Sequence, residues 1–362
     1  MEKRKEVIEL EAGAGGEKSS RLISEIRKNF KDGHKWKNIE DDGAVFDFAG
    51  LSLRGVRRGR RGNLIEDGSG KGLPRSFQSL AMTDLKLVFT TDAFIVDPIF
   101  FPGGDIGKIA MCGTINDLSV MGAVPIGISL SLVIEEGFPI SDLKKIMQSI
   151  GKISRITGVP IVTGDTKVTE RGKLDKIEIT TSGIGLAKNV ISNGGAKAGD
   201  VVIASGNLGE HAVALLAKRF NYKTKIKSDC QPLTKEIQSV AKYLTSCKDP
   251  TRGGAAAVLN EIAKKSKIKI ILEEKKLPFA KETVALSELL GIDKFSFPSE
   301  GRFVATVAKK DAEKTIKILR KFNKQAKIIG RVERGKGVHL ETNLGGTKQI
   351  DVPRGKLIPR IC

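Results

Sequence analysis

Short apolar runs alternate along the chain with stretches whose apolar positions recur every three to four residues, which predicts strands interleaved with amphipathic helices. LKLVFTTDAFIV (85–96) predicts a strand interrupted by the polar Thr90, Thr91 and Asp92. A helix is predicted over 105–121, opening after Pro102-Gly103-Gly104, and the alternation of IGISLSLVI (126–134) predicts a strand. Over 142–157, Leu143, Ile146, Met147, Ile150, Ile153 and Ile156 share a helical face, with Ser141 as N-cap and Gly158 and Pro160 as stop signals. Strands at 161–163 and 177–186 follow. Beyond a loop-like stretch, NVISNGGAKAGD (189–200), the strand VVIAS (201–205) opens a second unit. That unit is read as helices near 210–220, 233–246, 254–265 and 311–323 and strands at 268–273, 302–308, 327–333 and 337–342. The pattern implies an α/β or α+β fold.

A chain of 362 residues can build two cores. No segment approaches the about 20 apolar residues of a membrane span, and MEKRKEVIELEAGAGG has no apolar signal region, so the expectation is a cytoplasmic protein without a membrane partner. Cys112, Cys230, Cys247 and Cys362 form no CxxC pair, and His34, His211 and His339 are scattered singly. Neither a disulfide framework nor a zinc cluster is implied, and each lone histidine reads as a surface or packed residue. The formal charge of +20 raises the question of nucleic acid, but aromatics are only 5%, too few for base-stacking platforms. Much of the excess is local: Arg54, Arg57, Arg58, Arg60, Arg61, Lys71 and Arg75 face only Glu66 and Asp67 in a glycine-rich stretch read as a solvated surface loop. No nucleic-acid partner is expected.

The chemistry lies in acidic residues set at strand ends or beside glycine: Asp42, Asp92, Asp97, Asp117, Asp165 and Asp249. One such aspartate is ordinarily a turn or a cap. Several that converge need a cation, most naturally Mg²⁺ bridging to phosphate oxygens. Two glycine-rich stretches suit phosphates: Ala12-Gly13-Ala14-Gly15-Gly16, and Thr251-Arg252-Gly253-Gly254 after Asp249-Pro250. Neither is a Walker A or a GxGxxG sequence. The chain ends on Pro359-Arg360-Ile361-Cys362, which places a thiol past the last element expected to pack it and makes it a candidate carrier of a bound group.

TTDAFIVDPIFFPGGDIGKIAMCGTINDLSVMGAVP (90–125), IEEGFPISDL (134–143), GDTKV (164–168), DPTRGG (249–254), SEG (299–301) and the terminal PRIC together resemble the HypE family of hydrogenase-maturation proteins, in the PurM-like ATP-binding superfamily. The resemblance runs from residue 6 to 362 except for about 50–80, which looks like an insertion. The TTD, NDL and GDT segments are widespread in the superfamily, whereas FFPGGDIGK with the PRIC end is specific to this family. It implies a PurM-like two-domain fold: an N-terminal ATP-binding domain (1–190) whose sheet forms a homodimer interface, a C-terminal α+β domain (191–350) and a flexible tail (351–362). It further implies that HypF carbamoylates the terminal sulfur, that ATP drives dehydration to a thiocyanate, and that cyanide passes to a HypC–HypD complex for the iron of [NiFe]-hydrogenase. Carried onto this sequence, Cys362 is the acceptor. Asp42, Asp92, Asp117 and Asp249 are the Mg²⁺–ATP ligands, with Asp97 and Asp165 as second choices. Gly15, Gly16, Thr251, Arg252 and Gly253 meet the phosphates with help from Asn116, and Lys167 and Glu300 stabilise the oxyanion and relay amide protons. The cofactors are then ATP and Mg²⁺. AGAGGEK departs slightly from the family's usual glycine loop, and the Arg-rich insertion has no counterpart. The alternatives are another PurM-like ATP user, such as selenophosphate synthetase or thiamine-phosphate kinase, neither of which needs a terminal cysteine.

Overall fold

A computed structural model describes residues 17, 21, 22, 24, 36–37, 41–47, 85–353, 360 and 361. Gly15, Gly16, the stretch 50–80 and Cys362 lie outside the described residues. The first sheet has six strands in the order β1-β2-β3-β8-β6-β7: β1 (Trp36–Lys37), β2 (Ala44–Asp47), β3 (Lys86–Phe94), β8 (Ile177–Ala187), β6 (Val124–Glu135) and β7 (Ile161–Thr169). Only the β6–β7 pair is parallel. A small hairpin, β4 (Phe100–Phe101) and β5 (Gly104–Asp105), leads into helix α1 (Ile106–Val120), and α2 (Ile140–Thr157) connects β6 to β7.

Alternation along β3 sorts its residues by face: Val88, Thr90 and Phe94 point inward, whereas Phe89, Thr91 and Ala93 lie on the open face. α1 covers the inner face and is buried nearly all round, from Ile106 through Val120, because the sheet, α2 and the second unit enclose it. Asp105 caps it by accepting the Lys108 N–H at 3.0 Å. α2 begins two residues before the sequence pattern suggested. Pro139, without a side-chain hydrogen bond, holds the cap position in place of Ser141. Ile146, Ile150 and Ile153 are buried, and Ile156 is exposed.

The second sheet has seven strands in the order β10-β12-β9-β13-β11-β14-β15. They are β9 (Asp200–Ala204), β10 (Leu244–Lys248), β11 (Lys269–Glu273), β12 (Val304–Ala308), β13 (Lys327–Glu333), β14 (Gly337–Glu341) and β15 (Thr347–Gln349). Helices α3 (Glu210–Arg219), α4 (Thr234–Val240), α5 (Gly254–Ser266), α6 (Lys281–Leu290) and α7 (Ala312–Leu319) surround it.

Two expectations are corrected here. The helix read over 233–246 stops at Val240, and Leu244–Lys248 instead pairs antiparallel with β12, which buries Cys247. Sheet pairing overrides helical spacing where both are available. β7 likewise runs on from 163 to Thr169, so the GDTKV segment is an edge strand and no turn. The sequence reading had no helix at α6. Among the described residues, no helix is long and apolar enough to cross a membrane.

Candidate active site

Three carboxylates from distant parts of the chain converge: Asp42 just before β2, Asp117 on α1 and Asp249 just after β10 each place an oxygen within 4.8 Å of the others. The chain reaches this arrangement because Asp41 and Asp42 are tied to the second unit. Lys265 Nζ bonds Asp41 at 2.6 Å, and Lys248 Nζ bonds Asp42 while lying 3.2 Å from Glu261. From the inward face of β3, the Thr90 hydroxyl donates to Asp117 Oδ2 at 2.9 Å. Asp92, one pleat further along the same face, meets the Arg252 guanidinium at 3.3 Å. Thr251, Arg252 and Gly253 thus join the acids at the start of α5.

The electrostatics of the triad are unfavourable by themselves. Burial, then the charges of Asp92, Asp249 and Asp42, pushes the Asp117 carboxyl well above the usual range. Asp249 is pushed up to about 8 by burial and by Asp42, against the pull of Lys248. Burial also raises Asp42, with Lys248 opposing it. Asp42 Oδ2 and Asp249 Oδ2 are buried without a hydrogen-bond partner among the described residues. Oxygen ligands that lack protein partners and repel one another fit a hard divalent cation.

Glu300 enters from the loop before β12. Its N–H donates to Asp229 Oδ1 at 2.9 Å, and its carbonyl accepts from Asn116 Nδ2 at 3.0 Å. Its Oε1 is buried and has no partner among the described residues. Burial, then Cys230 and the acids Asp249, Asp229 and Asp92, raises this carboxyl well above its usual value. Asn116 is fully engaged with main chain, donating also to the Gln231 carbonyl at 3.0 Å and accepting from the Leu233 N–H at 2.8 Å. It ties α1 to the Gln231 and Glu300 loops and has no donor left over for phosphate.

Asp165 and Lys167 lie elsewhere. Register runs from Asp92 through Thr181 and Leu130 to Gly164, so Asp165 is three strands from Asp92, about 14 Å at the usual strand spacing. The pleat also puts Asp165 and Lys167 on the open face, exposed and 3.4 Å apart. Asp97 sits at a third place, the docking point of the chain end. The Arg219 guanidinium donates to the Asp97 carbonyl at 2.9 and 2.6 Å and to the Arg360 carbonyl at 2.8 Å. The Asp97 N–H also reaches the Arg360 carbonyl, at 3.1 Å. The Arg360 side chain pairs with Asp175 at 2.5 Å. Ile361 is buried in the apolar core that the first unit shares with α3 of the second, and His211 Nε2 lies 2.7 Å from its carbonyl. The expectation that nothing packs the last residues is therefore corrected: the residue before Cys362 is a core residue. The sequence reading missed Lys248, Thr90, Arg219 and His211. A lone histidine, lysine or arginine carries no spacing signal that could have found three of them, whereas Thr90 lay in the TTD segment.

Known proteins agree with this arrangement. Family models of the AIR synthase related proteins match twice, the N-terminal domain at 78–187 and the C-terminal domain at 197–343. The carbamoyl dehydratase HypE of Escherichia coli is 35% identical over 98% of this chain and 99% of its own length. The crystal structure of a HypE–HypF complex superposes with a TM-score of 0.77 at 36% identity, covering 92% of this chain and 99% of that one. A HypE crystallised with ATP gives 0.74 at 31% identity, covering 98% and 100%. Two sheets, a buried acid triad beside a phosphate-suited turn and a docked chain end thus sit on a shared framework, and the chain belongs to the HypE family of carbamoyl dehydratases, among the AIR synthase related proteins.

Proposed function

We propose that this chain uses ATP to dehydrate a carbamoyl group carried on the Cys362 sulfur, giving the thiocyanate that supplies cyanide to the iron of [NiFe]-hydrogenase. The observation that carries the reading is the triad of Asp42, Asp117 and Asp249, with unpartnered oxygens, in a chain whose penultimate residue is docked in the core. An amide oxygen is a poor leaving group. Its attack on the γ-phosphorus of ATP breaks the bond to ADP, and the oxygen then leaves as phosphate while nitrogen loses its protons and the C≡N bond forms. Asp42, Asp117 and Asp249, with Asp92 beside them, would hold Mg²⁺, which neutralises charge on the phosphates when bound. Arg252 and the turn at Thr251 and Gly253 bind and orient the phosphoryl group. Glu300 Oε1, buried and without a partner among the described residues, takes one nitrogen proton, and the departing phosphate takes the other.

Lys167 and Asp165 reach a reacting tail from a second copy packed on the open sheet face. A homodimer of this kind is supported by the open face itself, on which Phe89, Thr91 and Ala93 are exposed. A HypF-type carbamoyltransferase loads the tail and a HypC–HypD-type complex receives the cyanide. The test is mass spectrometry of the C-terminal peptide after incubation with the carbamoyltransferase, carbamoyl phosphate and ATP. A carbamoyl adduct on Cys362 is expected, followed by ATP-dependent loss of one water. No adduct, or an adduct that ATP leaves unchanged, sinks the reading. Cys362→Ala keeps ATP binding and loses both products.

A further inference from the structure

We propose that His211 is a positioning residue for the carrier tail: it fixes the last main-chain carbonyl before Cys362 in register with the loop that holds Glu300, and the FFPGG segment is the support that keeps it there. The proposal rests on the dehydratase reading for its role in catalysis, though the contact itself does not.

A carbonyl only accepts, so the 2.7 Å contact to Ile361 requires the proton on Nε2. Nδ1 then accepts from the Ser228 hydroxyl at 2.8 Å, and the Ser228 oxygen in turn accepts the Cys230 N–H at 3.1 Å. The tautomer is thereby set by the Ile361 carbonyl, and the Ser228 hydroxyl donates to the nitrogen left without a proton. Burial holds the ring neutral, so it donates to Ile361 as an uncharged group. The same short loop continues to Asp229, which anchors the Glu300 N–H, and to Gln231, whose carbonyl shares Asn116 with the Glu300 carbonyl. Chain-end carbonyl and proton acceptor are therefore referred to one loop, four residues long.

The FFPGG segment gives this loop its seat. Phe101 stands edge-on to the His211 ring with centroids 5.3 Å apart, and the Ser228 N–H donates to the Pro102 carbonyl at 2.8 Å. Gly103 has a φ of +97°, and a Cβ on it would come within 2.8 Å of the Ser228 nitrogen, so only glycine lets the two segments close. Gly301 does the same on the other side, where a Cβ would lie 2.0 Å from the Asp229 carbonyl oxygen.

Two measurements on the full-length protein test this. Carboxypeptidase release of Ile361 reads docking without reference to catalysis, and single-turnover dehydration of the pre-carbamoylated tail reads register. Losing a buried hydrogen bond should speed release and slow dehydration by about tenfold in His211→Leu, with ATP affinity unchanged. His211→Gln, which keeps an N–H donor, should recover most of both. If His211→Leu fails to fold, Ser228→Ala keeps the ring but removes the hydroxyl that holds Nδ1, and about threefold faster release is expected. Unchanged release and turnover in a folded variant overturns the proposal, as does equal loss in the leucine and glutamine variants. A wild-type tail that resists release yet is never dehydrated supports the docking role and counts against the dehydratase reading.

Discussion

The acid triad and the clasp around the chain end are both buried polar clusters, and they differ in what is left over. At the triad, one oxygen each of Asp42 and Asp249 has no partner, and the carboxyls resist ionisation. At the clasp, the carbonyls of Asp97, Arg360 and Ile361 and both nitrogens of His211 are all bonded within the chain, and what is left over is a donor, Arg360 Nε. Buried polar groups are paired in stable folds, so leftover acceptors mark where charge from outside fits. Saturated acceptors mark a place where the ligand is the chain itself.

The largest expected effect breaks the triad. Asp249→Asn should lower ATP-dependent dehydration by about a hundred- to a thousandfold. It should also raise the melting temperature of the cation-free protein, because one of three repelling acids is gone. A lower melting temperature in calorimetry would mean that the triad is structural, and the contrast with the clasp would fail.

A second, smaller effect lies at the clasp. His211, facing Lys108, Ser228 and Phe101, is pushed down to about 4 by burial from an ordinary value of 6.5. Between these values the unfolded chain binds a proton that the folded chain refuses, so stability rises with pH from about 4 to 6.5 and is lost on acidification through that window. Urea melts of wild type and His211→Gln across it should show a shallower slope in the variant. Equal slopes would mean that the ring is not buried as described. The smallest effect comes from Asp175→Ala, which removes the half-exposed ion pair of Arg360. It should loosen the tail by only about twofold in the carboxypeptidase assay. A tenfold change there would move the anchor from the carbonyls to the side chain.

Asp42 and Asp249 were legible because aspartate beside glycine or at a strand end is a chemical signal that survives without coordinates, and Asp117, inside a helix, was legible through the NDL segment. Asp97 and Asp165 carry the same local signal and went to other places, since sequence gives the residue and not the face. Asp165 is a case of pleat: one position earlier on β7, Gly164 points the other way. The helix wrongly extended through Leu244–Lys248 shows the same limit, because what turns that segment into a strand is β12, about 60 residues away. His211 was read as a surface or packed residue, and it is packed. Its partner is the chain end, and no spacing within the sequence encodes a contact 150 residues long.

The burial of Ile361 makes the substrate-bearing segment part of the hydrophobic core. Every handover of the terminal cysteine to another protein is then a small local unfolding event. Removing an isoleucine side chain from a core costs about 2 to 3 kcal/mol, so from this contact alone about one chain end in 30 to one in 150 is loose at any instant. A partner that captures the loose form must supply that difference from its own contacts, and the population of free tails sets how quickly it can begin.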